Sequence, residues 1–190
     1  MNFYNFITVD SIKTLVSVIS GGSYSSKCLA WESFTVKGHR NVRATHERSL
    51  EFTKEDFLTK RGDCIVGISS TKALRDFKEE FKDLAKKPSS LILTLVVGGD
   101  GSYDVVIGRG NEGLTYSDPI KVIIRKSNYV SGNTAAVSSD KAAKDLNRKL
   151  VDYLKSDDAE ALVIMFVVDL NCFGRPPLPP NFPQNFTDLT

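Results

Sequence analysis

One pattern occurs twice in this chain, and it restricts the fold more than any single residue does. Ile68-Ser69-Ser70-Thr71-Lys72-Ala73-Leu74 precedes a helical pattern and then the apolar run 91–97. Val137-Ser138-Ser139-Asp140-Lys141-Ala142-Ala143 precedes a second helical pattern and then the run 162–168. A glycine lies ahead of each copy, Gly62 in the first and Gly132 in the second. Aligned on those glycines, with one gap before the double serine, each half reads strand, strand, helix, strand. The expectation is an α+β domain with a mixed, largely antiparallel sheet, two helices and internal pseudo-two-fold symmetry. Two unrelated helices with ordinary serine caps are the alternative.

The repeat occupies residues 27–170 and reads as a single domain of two similar halves. Residues 1–26, ending in Gly21-Gly22-Ser23, form an N-terminal extension, and residues 171–190, with Pro176, Pro177, Pro179, Pro180 and Pro183, a proline-rich tail. With 190 residues, 41% of them hydrophobic, the chain is long enough for one real core. Residues 42–53 alternate as a strand whose one face carries Val42, Ala44, His46, Arg48, Leu50 and Phe52. Residues 63–68 read as a short central strand. Ser69, Ser70 or Thr71 would cap a helix in which Leu74, Phe77, Phe81 and Leu84 repeat, and Pro88 stops it. Residues 91–97 are apolar on both faces, as in a strand covered on two sides. No stretch approaches the ~20 apolar residues of a membrane span, and the start of the chain is a poor signal peptide. The expected location is cytoplasmic, with no membrane partner.

A net charge of +2 is too mild to argue for or against nucleic acid. Cys28, Cys64 and Cys172 have no metal-ligand spacing, which points away from structural zinc and from a disulfide scaffold. His39 and His46, an odd number of residues apart, would sit on opposite faces of a regular strand, so no metal is expected. His46 is either a hydrogen-bonded core histidine or, with Arg48, part of a pocket. Cys64 is a buried thiol, or a nucleophile if His46 or Arg61 depresses its pKa. The two helix N-termini, with their serines and lysines, would hold an anion if the pseudo-axis brought them together; otherwise they are simply capped. Arg125-Lys126-Ser127-Asn128-Tyr129 ends a strand with two cations, hydrogen-bonding side chains and a ring, suiting phosphate contact with stacking or a plain solvated strand end.

Gly38-His39 through Ala44-Thr45-His46, then Glu51-Phe52-Thr53-Lys54, Leu58-Thr59 and Arg61-Gly62-Asp63-Cys64-Ile65-Val66-Gly67, resemble the archaeal domain-of-unknown-function family 371. Ile124-Arg125-Lys126-Ser127 and Asp140-Lys141-Ala142-Ala143 resemble its second half. The resemblance runs from residue 27 to residue 168 and implies an archaeal, intracellular protein, with no reaction to transfer. Chemistry therefore selects the candidates. The leading expectation is a binding domain for a phosphate-bearing ligand, RNA or a nucleotide, without a cofactor. His39, Arg43, Arg48, Arg61, Arg125, Lys126, Ser127 and Tyr129 would bind it, with His46 alongside. A small hydrolase or transferase is the rival, with catalytic candidates His46 as base, Asp63 as orienting group or acid, and Cys64. An adaptor docking through the proline-rich tail is a third reading.

Overall fold

The computed structural model describes residues 27–173; the N-terminal extension and residues 174–190 of the tail lie outside the described residues. The first half contributes β1 (Leu29–Lys37), β2 (Ser49–Thr53), β3 (Ile65–Gly67), α1 (Glu79–Ala85) and β4 (Ser90–Gly98). The second contributes β5 (Tyr103–Arg109), β6 (Lys121–Arg125), β7 (Thr134–Ala136), α2 (Arg148–Leu154) and β8 (Glu160–Asp169). The α+β class and the duplicated order are as expected. The strands divide between two four-stranded sheets, however, where the sequence pattern suggested one.

The first sheet runs β1-β8-β4-β5, antiparallel throughout, and the second runs β3-β2-β6-β7. In the second sheet β2 and β6 are antiparallel, while β3 and β7 join their outer sides in parallel. Residues 63–68 therefore supply an edge strand, not a central one. Single bridges, Lys37 to Ile68 and Arg109 to Val137, tie the two sheets together at both edges. The inner faces meet in a common core, where Phe34 packs edge-on against Phe52 with ring centroids 5.6 Å apart. Helix α1 packs on β1, β8 and β4.

Equivalent contacts in the two halves bear out the duplication. Lys72 binds Glu32 at 2.5 Å and Lys141 binds Asp104 at 2.5 Å. Lys54 pairs with Asp76, and Lys126 with Asp145. Ser69 and Ser138 both adopt a φ of 48°, and Ala44 and Tyr116 have φ of 48° and 52°. Gly38 and Gly110 both abut a helix end, where an added Cβ would meet the carbonyl oxygen of Leu154 or of Ala85 at 2.5 Å. The pseudo-axis passes between Leu95 and Ile164 in the first sheet and between Glu51 and Ile123 in the second, each pair in register. Backbone carbonyls make Asp63, not Gly62, the partner of Gly132: Asp63 accepts from His46, and Gly132 from Asp118.

Three local expectations change. Only Ser49–Thr53 of the alternating stretch 42–53 is strand, because residues 38–48 turn away through the positive φ of Ala44. The helices are seven residues long, each preceded by a short 3₁₀ turn. The serines cap neither helix: the Ser70 and Ser139 hydroxyls donate to the Lys72 and Lys141 carbonyls at 2.6 and 2.8 Å. Cys28 and Cys172 also form a disulfide, contrary to their uninformative spacing. Antiparallel pairing sets Leu29 opposite Val168, so cysteines 144 residues apart in sequence come to a Cα separation of 5.8 Å.

Candidate functional site

The starts of the two helices come first, since they offered an anion site. Glu32 accepts a hydrogen bond from the Lys78 amide at 2.7 Å, and Asp104 from the Asn147 amide at 2.7 Å. Each carboxylate is buried and also holds a lysine. The positive ends of α1 and α2 are thus neutralised from within. Glu32 lies on β1 and Asp104 on β5, the two outer strands of the first sheet, so the pseudo-axis does not bring these ends together.

The second sheet has a different outer face. Leu50, Phe52, Val122 and Ile124 enter the core. By strand alternation Ser49, Glu51 and Thr53 of β2 share the other face with Lys121, Ile123 and Arg125 of β6. At one end of this face Ser49 lies directly opposite Arg125, and the next backbone bond joins the Lys126 amide to the Arg48 carbonyl at 2.9 Å. The backbones of Arg48, Arg125 and Lys126 therefore lie together where β2 begins and β6 ends.

Arg125 is half-buried and held by neutral groups. Its Nε donates to Thr134 Oγ1 at 3.0 Å, and its Nη2 to Asn133 Oδ1 at 2.9 Å and Ser131 Oγ at 3.4 Å. The guanidinium lies 5.0 Å from the centroid of the Tyr129 ring, a cation–π distance. Among the described residues it has no carboxylate partner, whereas Lys126 beside it is matched by Asp145 at 3.1 Å. Tyr129 is 61% exposed, so its ring remains open to a second stacking partner. Ser127 turns back on its own loop, accepting from the Tyr129 amide at 3.4 Å.

His46 adjoins this end. Its Nδ1 accepts from the Ser49 amide at 3.0 Å and the Arg48 amide at 3.3 Å, with Ser49 Oγ at 2.9 Å. Two amide donors on Nδ1 place the proton of the neutral ring on Nε2, making that nitrogen a donor. Asp63 meets His46 through the backbone, its carbonyl accepting from the His46 amide at 3.3 Å. The hydrogen bonds that orient the imidazole come from residues 48 and 49.

The centre of the face holds Glu51 and Lys121, which sequence patterns did not single out, beside Cys64, which they did. Glu51, buried on the pseudo-axis, accepts from the Cys64 thiol at 3.4 Å through Oε2, and its Oε1 is 3.1 Å from Lys121 Nζ. That Oε1 is buried without a well-formed hydrogen bond, so its contact with Lys121 is an ion pair rather than a directed bond. Burial foremost, then the Glu51 carboxylate, push the Cys64 pKa up to about 12. Partial burial works to lower the Lys121 pKa, but the Glu51 carboxylate outweighs it and the net shift is upward. Cys64 is therefore a protonated thiol at neutral pH, without the thiolate a nucleophile needs. Ser49, Glu51 and Thr53 alternate with Leu50 and Phe52 in the sequence, and the sheet buries all three.

The remaining candidates lie elsewhere. His39 caps its own turn, its Nδ1 accepting from the Asn41 amide at 3.0 Å near the end of α2. Arg43 donates to the Lys60 carbonyl at 3.2 Å, and Arg61 is exposed on the loop before β3. Among the described residues no group of three His, Cys, Asp or Glu side chains is placed to hold a metal ion, and no helix is long and apolar enough to cross a membrane.

Comparison with known proteins agrees with the architecture's extent. Residues 34–168 match the family described as "Domain of unknown function (DUF371)". An uncharacterised protein of Methanocaldococcus jannaschii is 42% identical over 132 residues, covering 70% of this chain and 95% of that protein. The matched region takes in the second sheet, most of the first, the Arg125 end and the Glu51 cluster, and the chain belongs to the DUF371 family.

Proposed function

We propose that the end of the second sheet formed by Arg48, Arg125 and Tyr129 binds a phosphate-bearing ligand, RNA or a nucleotide. The supporting observation is Arg125. It is a permanently charged side chain, partly buried, oriented by three neutral residues and stacked on an exposed tyrosine, with no carboxylate among the described residues to neutralise it. A phosphate would supply the missing charge through a directed guanidinium contact. A base would stack on the open face of Tyr129. The exposed Arg48 guanidinium and the His46 Nε2 donor border the same end.

Such binding is dominated by counterion release. With Arg48 and Arg125 as the contacting cations, the logarithm of affinity for single-stranded RNA should fall against the logarithm of salt with a slope of about −1.4. Fluorescence polarisation with a labelled eight-nucleotide RNA and a labelled adenosine monophosphate, between low and physiological salt, measures it. A salt-independent affinity, or no binding of either probe at low salt, would speak against this reading.

A further inference from the structure

Building on the phosphate reading of Arg125, we infer that the basic surface continues onto the turn at residues 43–48 and the Arg148 side chain, and that its ligand is an RNA strand rather than a mononucleotide. Arg148 donates through Nη1 to the Ala44 carbonyl at 3.1 Å and through Nη2 to the Arg43 carbonyl at 3.3 Å. Arg43 in turn donates to the Lys60 carbonyl at 3.2 Å, next in the chain to Arg61. The Thr45 and His46 amides reach the Asp63 carbonyl, and the Lys126 amide reaches the Arg48 carbonyl, so these segments adjoin the end that carries Arg125. Arg43, Arg48, Arg61 and Arg148 are all exposed. Like Arg125, none of them is ion-paired with a carboxylate among the described residues. Of the carboxylates nearby, Glu47 is matched by Lys144 at 3.2 Å and Asp145 by Lys126 at 3.1 Å, leaving the half-buried Asp63 against five arginines.

The duplication shows that the fold does not require these cations. Ala44 and Tyr116 share a positive φ, which makes Thr115 the counterpart of Arg43. The Ile120 carbonyl accepts from the Lys54 amide as the Arg48 carbonyl does from Lys126, which pairs Ile120 with Arg48. The two helices begin at Glu79 and Arg148, and Thr53 is the counterpart of Arg125. Equivalent positions thus hold arginine at one end of the molecule and threonine, isoleucine or glutamate at the other. Arg43, Arg48 and Arg148 are exposed, as are Thr115, Ile120 and Glu79, so core packing selects neither set. Gathering cations at one of two equivalent ends, in a chain of net charge +2, is the pattern of a surface for a polyanion. Extent then selects a strand. Two strand spacings of ~4.8 Å, about 10 Å in all, separate Arg125 on β6 from the loop entering β3. A single phosphate does not reach across that width, whereas successive phosphates of one chain do. The exposed Tyr129 ring offers a base its stacking surface, which favours an unpaired strand.

The test compares adenosine monophosphate with an eight-nucleotide oligoadenylate, titrated into the full chain over a range of salt. With five arginines in contact, the octamer should show a slope of about −3.5, steeper than Arg48 and Arg125 alone would give. The double variant Arg43→Ala/Arg61→Ala should bind the octamer about tenfold more weakly and flatten its slope by about 1.4, with the monophosphate unaffected. Arg75→Ala, at the opposite end, should alter neither probe. If the double variant does not fold, Arg61→Ala alone decides, with a loss of about threefold for the octamer only. An octamer that weakens on Arg125→Ala but is indifferent to Arg43→Ala/Arg61→Ala or to Arg61→Ala would overturn the extended surface and leave the Arg125 site standing. No binding of either probe would overturn both.

Discussion

Arg125 and Cys64 lie on adjoining parts of one sheet surface, yet their surroundings give them opposite chemistry. Thr134, Asn133 and Ser131 orient Arg125 without cancelling its charge, while Glu51 and burial keep the Cys64 proton in place. Replacing Glu51 by Gln removes the charge that opposes thiolate formation. Burial, the larger cause, remains. We expect alkylation of Cys64 by iodoacetamide at pH 8 to be slow in the natural protein and faster, though still below that of a free thiol, in Glu51→Gln. Rapid alkylation of the unaltered protein would contradict the assignment. Sequence already marked Cys64, Arg125 and Tyr129 as chemically interesting. It did not mark Glu51, because a glutamate in an alternating polar stretch reads as solvent-facing until the sheet and its long side chains bury it.

At the scale of elements, the short helices are secured more by their carboxylate anchors than by length. A seven-residue helix is marginal by itself. Glu32 joins the start of α1 and Lys72 to β1, and Asp104 does the same for α2 and Lys141 on β5. Removing one partner from such a buried pair leaves the other charge uncompensated. Glu32→Ala should destabilise the domain by about 3 kcal/mol, and Asp104→Ala by a similar or slightly smaller amount because Asp104 is a little more exposed. Urea unfolding measures both, and a change below 1 kcal/mol in either would show the anchors to be incidental. The helical patterns and apolar runs were legible because they depend on neighbours in sequence. The anchors were not, since Glu32 meets Lys78 across 46 residues. Nor was the partition into two sheets, which rests on β8 returning between β1 and β4.

For the molecule as a whole, pH acts through the aspartates. Asp76, Asp145 and Asp169 all have pKa values below the ordinary carboxylate value. For Asp76 the Ala73 amide is the main cause, followed by Lys54. For Asp145 and Asp169 partial burial opposes the shift, but hydrogen bonds and lysine partners outweigh it. A carboxylate whose folded pKa is depressed contributes stability above its unfolded pKa and loses it as pH falls through the folded one. The melting temperature should therefore decline as pH is lowered below ~4; a value unchanged down to pH 3 would contradict this. The duplicated architecture itself is nearly symmetric, but its polar outer face is not, since Glu51 faces Ile123 across the axis and Arg125 has Thr53 as its counterpart. That asymmetry confines the proposed anion site to one end of the second sheet. The most direct test is isothermal titration of the full chain with pyrophosphate, adenosine monophosphate and an eight-nucleotide single-stranded RNA at low salt, beside Arg125→Ala. Binding of at least one probe that weakens tenfold or more in the variant is the predicted result. Equal affinity in the two proteins would contradict the account.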